Sequence, residues 1–442
     1  YVAYIFAHNN NDGEFGPDSD QDIIKCGSYT GNGSTAGPEI NLGFEPQWVM
    51  IKRTDASNDD AWPIHDTMRG IASGGADPYL LASSTAAENS ISVIDVTSTG
   101  FKLTAGYGGW DGSGGTYIYM AIRRGPLAPP EAATEVFAVD NTGVNATTST
   151  AVFSSGFPVD LGIRKRGDGG TNGDTFLGTR LLGSTFLVAS KTEAETANGI
   201  FRVSGFQDGF GNHNGSGLNA VGWMWKRAPS YFDVVAYTGD SPSAGRAVPH
   251  NLTVAPEMIW VKNRNGASGG ARPWIVYHKD TGNTGYLKLN ETDALITSDP
   301  ESKFGNGTAG VSPTDSNFTV AGDYEVNYSG DTYIAYLFAS VAGISKVGSY
   351  TGNGSSQTID CGFSNGARFV LIKRTDGTSD WCAFDSARGI VSGNSPMLKL
   401  NTGSGEIDDE DIVDPISSGF IVNSIENRIN VSGATYIFYA IA

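Results

Sequence analysis

Cysteine is scarce in this chain. Cys26, Cys361 and Cys382 are its only three in 442 residues, too few for a disulfide framework, and an odd number leaves at least one thiol unpaired. Basic residues are outnumbered, 29 against 47 acidic ones, for a formal net charge of −18. No basic stripe is visible, which disfavours a nucleic-acid partner and an anionic membrane surface. No apolar run approaches the roughly 18 residues of a spanning helix. The opening Tyr1-Val-Ala-Tyr-Ile-Phe-Ala7 lacks the basic flank of a signal peptide. Zinc-ligand spacings and coiled-coil heptads are missing as well. With 39% hydrophobic and 17% charged residues, the chain also lacks the signature of disorder. What it has in excess is glycine, 59 residues without a collagen triplet period, which reads as frequent turns between short strands.

Internal similarity organises the rest. Gly27-Ser-Tyr-Thr-Gly-Asn-Gly-Ser34 recurs as Gly348-Ser-Tyr-Thr-Gly-Asn-Gly-Ser355, and Trp48-Val-Met-Ile-Lys-Arg53 as Phe369-Val-Leu-Ile-Lys-Arg374. Trp62 with Gly70 corresponds to Trp381 with Gly389. A third copy runs through Tyr237-Thr-Gly239, Met258-Ile-Trp-Val-Lys262, Trp274 and Gly282. A degenerate one runs through Thr142-Gly143, Leu161-Gly-Ile-Arg-Lys-Arg166, Phe176 and Gly222-Trp-Met-Trp225. Each copy closes on an aromatic strand, such as Tyr333-Ile-Ala-Tyr-Leu-Phe338 or Tyr436-Ile-Phe-Tyr-Ala-Ile441. Tyr1-Val-Ala-Tyr-Ile-Phe6 repeats that strand, so residues 1–26 read as the closing strand of a preceding module with an acidic connector, and the chain as a fragment or processed product.

Apolar runs of four to eight residues rich in Val, Ile, Tyr and Phe, bounded by Gly, Asn, Asp and Ser, are strand punctuation. The expected fold is all-β, a tandem array of about four β-sandwich, jelly-roll modules. They span 27–130, a divergent 131–229, 230–343 and 344–442. Brief linkers, with one proline-rich joint at Pro126-Leu-Ala-Pro-Pro130, suggest a beads-on-a-string rod with small interfaces.

Phe6-Ala-His-Asn-Asn-Asn-Asp-Gly-Glu-Phe-Gly16, Asp20-Gln-Asp-Ile-Ile-Lys-Cys-Gly-Ser-Tyr-Thr-Gly-Asn-Gly33 and Trp48-Val-Met-Ile-Lys-Arg53 resemble tandem modules of structural and fibre proteins of marine tailed bacteriophages. Those modules are similar to concanavalin A-like or laminin G-like sandwiches. The resemblance implies a non-enzymatic virion protein, part of a tail or capsid-attached fibre, with other virion proteins, copies of itself and host-surface polysaccharide as partners. A virion or extracellular location follows from the same resemblance, which carries no catalytic residues. An extracellular adhesin or filament subunit of a cell is the alternative, and a polysaccharide hydrolase a third reading.

No catalytic or cofactor-binding residue is expected. Glu406-Ile-Asp-Asp-Glu410 has the spacing of a glycosidase strand carrying carboxylates on one face, but flanking Gly403-Ser-Gly405, Asp411 and Asp414 favour a solvated acidic loop. Asp12, Asp18, Asp20 and Asp22 form the candidate Ca²⁺ cluster. His65-Asp66 aligns with Phe384-Asp385, which favours packing over a catalytic dyad. Gly266-Ala-Ser-Gly-Gly270 and Gly305-Asn-Gly-Thr-Ala-Gly310 match a nucleophile elbow and a dinucleotide loop by letter only. The basic pairs Lys52-Arg53, Lys165-Arg166, Lys262 with Arg264, and Lys373-Arg374 recur at one point of each module, and Lys52, Arg53, Lys373 and Arg374 are the candidate contact residues. They are read either as strand ends reaching water or as contacts to an acidic face of an adjoining module or subunit. Trp62, Trp274 and Trp381 are read as core anchors in preference to glycan platforms.

Overall fold

The computed structural model describes residues 1–6, 8, 22–56, 61–142, 151–169, 173–197, 201–203, 207–212, 219–241, 244–266, 270–298, 303–423 and 428–442. The fold is all-β, a set of antiparallel sheets packed as sandwiches. Two compact units are present: residues 1–128 with 179–183, and residues 129–178 with 184–442.

One strand order recurs in four stretches of the described chain, which keep the names modules 1 to 4. An opening strand pairs with the aromatic closing strand, which pairs with a lysine-bearing strand, which pairs with a return strand. In module 4 these are Ser345–Thr351, Thr435–Ile441, Phe369–Arg374 and Trp381–Asp385. Module 3 uses Phe232–Thr238, Thr332–Phe338, Met258–Asn263 and Ile275–His278, and module 2 uses Phe137–Asp140, Ala220–Trp225, Leu161–Arg166 and Phe176–Thr179. Module 1 uses Ile24–Thr30, Thr116–Arg123, Pro46–Arg53 and Pro63–Asp66. Its opening strand thus starts three residues before the expected boundary at 27.

A smaller sheet covers one face of each large one. In module 4, Ile359, Val413, Phe420 and Val422 from the small sheet pack on Val370, Ile372, Phe384 and Phe438 of the large one. Period-two alternation then sends Phe369, Leu371 and Lys373 to the opposite, outer face. Two repeated sequence signals have direct structural causes. The glycine eight residues after each tryptophan, Gly70, Gly282 and Gly389, has φ of 108°, 70° and 120°, a region that penalises any Cβ. The Ser-Tyr-Thr tyrosine stacks on the first tyrosine of the closing strand, at 4.9 Å for Tyr29 on Tyr117 and 5.0 Å for Tyr350 on Tyr436.

The closing strands of modules 3 and 4 are buried along nearly their whole length, and that of module 2 throughout. A strand buried on both faces reads as a continuous apolar run. The outer faces in the second unit are therefore covered, and what covers them is the neighbouring modules. The beads-on-a-string expectation fails for residues 129–442, because the outer sheet faces are themselves apolar and bury one another.

Candidate functional site

The seams between modules 2, 3 and 4 concentrate the unusual chemistry of the molecule. Lys165, Lys262 and Lys373 occupy equivalent outer positions on the lysine strands, and all three are fully buried. Each holds a carbonyl of its own module and one of another. Lys373 Nζ donates to Ser379 O at 2.8 Å and to Thr292 O of module 3 at 3.0 Å. Lys262 Nζ donates to Arg272 O at 3.0 Å, Asn263 O at 2.8 Å and Thr192 O of module 2 at 3.1 Å. Lys165 Nζ donates to Gly173 O at 2.7 Å and to Thr402 O of module 4. Module 4 thus grips 3, module 3 grips 2, and module 2 grips 4. The contacts close a ring.

Main-chain bonds repeat the cycle. Glu195 N–H donates to Arg264 O at 2.7 Å, Leu295 N–H to Thr375 O at 2.8 Å, and Glu406 N–H to Gly167 O at 2.7 Å. Glycine permits the last approach, since a Cβ on Gly405 would lie 2.8 Å from Gly167 O. Two corners are further fixed by indoles. Trp274 Nε1 donates to Val188 O at 3.0 Å and Trp381 Nε1 to Lys288 O at 2.9 Å. Module 2 has Thr175 at this place, two residues after the carbonyl that its lysine holds. Where the three outer faces meet lies an aromatic cluster in which Phe369 sits 5.5 to 5.6 Å from Phe137, Trp223 and Trp225.

A buried polar knot ties module 2 to module 4. Trp223 Nε1 donates to Asp385 Oδ2 at 2.9 Å, and Arg388 Nε donates to the same oxygen at 2.7 Å. Arg388 Nη1 reaches Glu406 Oε2 at 2.7 Å, and the guanidinium lies 5.8 Å from the Trp223 ring. Electrostatics match this burial. Desolvation pushes Lys262 down to about 7, and Lys165 and Lys373 down to about 8, and carbonyl dipoles supply the acceptors that an ammonium needs when removed from water.

The sequence-predicted residues distribute as follows. Lys373 lies in the module 3–4 seam, against a backbone carbonyl and not an acidic face, and it does not reach water. Arg374 stays within its module, paired with Asp376 at 2.8 Å. Arg53 likewise pairs with Asp55 at 2.8 Å, and Lys52 is half-buried in module 1. Trp274 and Trp381 are neither core anchors nor exposed platforms, since they lie on outer faces as seam donors; constant spacing to a glycine does not reveal which face of a strand is used. Glu406 and Glu410 are held by Arg388 and by Arg428, the latter at 3.1 Å, so the acidic run is cross-linked by arginines. Of the calcium candidates, Asp12, Asp18 and Asp20 lie outside the described residues, and Asp22 pairs with Lys25 at 3.2 Å. Ser268 also lies outside them.

His65 is buried and its Nε2 accepts the Trp110 indole N–H at 2.9 Å, while Asp66 turns to Arg69 at the opposite face. Gly305 and Gly310 pair with each other in an isolated bridge. Cys361 and Cys382 belong to the module 4 core, and burial pushes both thiols up to about 12. Sequence reasoning missed Asp385, Trp223 and Arg388; the Asp-x-x-Arg spacing shared by Asp66–Arg69 and Asp385–Arg388 was the available signal.

The comparison with protein families matches residues 1–126 and residues 136–442 to one model. The chain belongs to the DUF7483 family, a domain of unknown function. The longer match of this DUF7483 chain takes in the whole ring of modules 2 to 4, and the shorter one module 1 with the segment before it. No curated protein matches the sequence. No helix among the described residues is long and apolar enough to cross a membrane.

An open cleft of about 450 Å³ lies in the module 3–4 seam, lined by Lys279, Asp280, Lys346, Tyr350 and Asp360 among others. It presents hydrogen-bonding groups of both charges beside a tyrosine.

Proposed function

We propose that this chain is a non-enzymatic structural protein of a virion, a building block of a tailed-phage appendage or capsid-attached fibre. The observation that supports this reading is the cyclic lysine-to-carbonyl lock of modules 2, 3 and 4, which devotes three fully buried lysines to holding sandwiches together. Repetition of one sandwich with interlocking faces suits a particle component, in which rigidity and reach matter more than turnover. Concanavalin A-like architecture belongs to the same proposal.

Host-surface attachment is part of this reading, and the cleft beside Tyr350 is its candidate contact. Its mixed charges and aromatic edge suit a polyhydroxylated ligand. Mass spectrometry of purified tailed virions encoding this chain tests the structural role: the protein is expected in stoichiometric amounts in intact particles. Its recovery only from the surface or medium of uninfected cells would replace the virion reading with a cellular adhesin.

A further inference from the structure

Module 1 carries the same outer face as module 4, built from the same parts. Register places Trp48, Met50 and Lys52 where module 4 has Phe369, Leu371 and Lys373, and Ile118, Met120 and Ile122 where it has Ile437, Tyr439 and Ile441. In module 4 these side chains are buried against modules 2 and 3, with Phe369 1% exposed and Ile437 3%. In module 1 Ile118 is 42% exposed, neighbouring Leu80 is 40% exposed, and Trp48, Met50, Met120 and Ile122 are only half-buried.

The polar knot is present too. Arg69 donates to Asp66 from its backbone N–H at 2.8 Å and from Nε at 2.5 Å, to Ile64 O at 3.1 Å and to Glu88 at 3.5 Å. Arg388 makes the matching bonds to Asp385, Ala383 O and Glu406. In module 4 the Asp–Arg pair receives the Trp223 indole, whereas the Asp66 and Arg69 side chains are 20% and 21% exposed.

Two further observations say what fits there. Tyr1-Val-Ala-Tyr-Ile-Phe6 matches the module 3 closing strand Tyr333-Ile-Ala-Tyr-Leu-Phe338 at four of six positions, and its apolar side chains stand exposed, Tyr4 at 84% and Ile5 at 92%. In the ring, that strand precedes module 4 as Tyr1–Phe6 precedes module 1. The shorter family match, 1–126, spans this same pair of features, while the match over 136–442 spans the full ring.

We infer that module 1 is the last third of a second ring, and that its outer face is a docking site for a pair of sandwiches of the kind formed by residues 131–338, joined through the segment Tyr1–Phe6. The indole of the first partner module meets Asp66 and lies on Arg69, as Trp223 does on Asp385 and Arg388. Apolar burial supplies the drive, and the partly exposed Asp–Arg pair selects a tryptophan-bearing strand over an aliphatic one.

Cys26 reports on this face, because it pairs with Met120 in register and is the one thiol not buried. The test places residues 131–332 ahead of Tyr1 in the 442-residue chain, a graft that adds no cysteine, and compares maleimide labelling of Cys26 in the two proteins. Docking is expected to slow labelling by about tenfold or more, and Asp66→Ala in the grafted chain to restore part of the rate. Equal labelling in a grafted chain whose circular dichroism shows the added strands folded overturns the inference.

A second measurement does not depend on the graft. Ile118→Lys is expected to leave the melting temperature of the 442-residue chain unchanged, while Ile437→Lys lowers it sharply. An equal loss from both would mean that the face serves its own module, which also overturns the docking site.

Discussion

Removing the Asp385 carboxylate is the sharpest perturbation of the ring. Asp385 is fully buried and accepts the Trp223 indole at 2.9 Å, the Arg388 backbone N–H at 2.9 Å and Arg388 Nε at 2.7 Å. Asp385→Ala leaves a guanidinium that is 8% exposed beside an unsatisfied indole N–H. Breaking a buried pair from one side costs about 3–5 kcal/mol, and an orphaned buried donor adds about 1–3 kcal/mol. A total near 4 kcal/mol is expected once relaxation lets some water reach the guanidinium. Asp66→Ala removes the same kind of carboxylate from module 1, where the pair is about one-fifth exposed, and should cost about 1 kcal/mol or less. Urea denaturation gives the two losses, and hydrogen exchange locates them. Faster exchange in Ala220–Trp225 of module 2 on mutating module 4 is the signature of a shared seam. Equal losses from the two variants, or exchange changes confined to module 4 in Asp385→Ala, would refute the reasoning.

Lys373→Met keeps the stem but strands the buried Ser379 carbonyl, while Thr292 O keeps the Ser379 backbone N–H at 2.9 Å. The relief of no longer burying an ammonium offsets part of that cost, leaving a loss of about 1 kcal/mol. Arg374→Met, one residue on, removes a partly solvated pair with Asp376 and should change stability by about 0.5 kcal/mol at most; denaturation midpoints of the two variants decide this. His65, pushed down to about 4 by burial, makes module 1 acid-sensitive. The unfolded chain binds the proton first, so stability present above pH 6.5 falls as pH drops towards 4, by about 3 kcal/mol at about 1.36 kcal/mol per unit. Melting of the wild type against His65→Leu between pH 7 and 4 measures it, with the variant expected to lack that slope.

Much of the fold is legible in the sequence because the repeated parts are set by local rules. Period-two apolar runs specify strands. Gly70, Gly282 and Gly389 hold a conformation that favours glycine, and Tyr29, Tyr237 and Tyr350 each have a stacking partner in the closing strand. The seams are less legible because they depend on which face of a strand meets a neighbour, and alternation alone does not say whether an outer face is wet. Lys373 at the end of an apolar strand reads like a side chain leaving for water, yet its ammonium finds main-chain carbonyls of two modules. Trp274 and Trp381 read as core because each keeps a constant spacing to a glycine, and they are buried on the other side of the sheet. The clue that was present, closing strands apolar at successive positions such as Trp223-Met-Trp225, signals burial on both faces and hence a ring in place of a rod.

Scanning calorimetry of the 442-residue chain tests that ring most directly. Modules that interlock through Lys165, Lys262 and Lys373 should melt together, so residues 131–442 are predicted to unfold in one cooperative transition whose midpoint falls as a whole in Lys373→Met. Separate transitions for modules 2, 3 and 4, with only the module 4 transition moved by that substitution, would contradict the account.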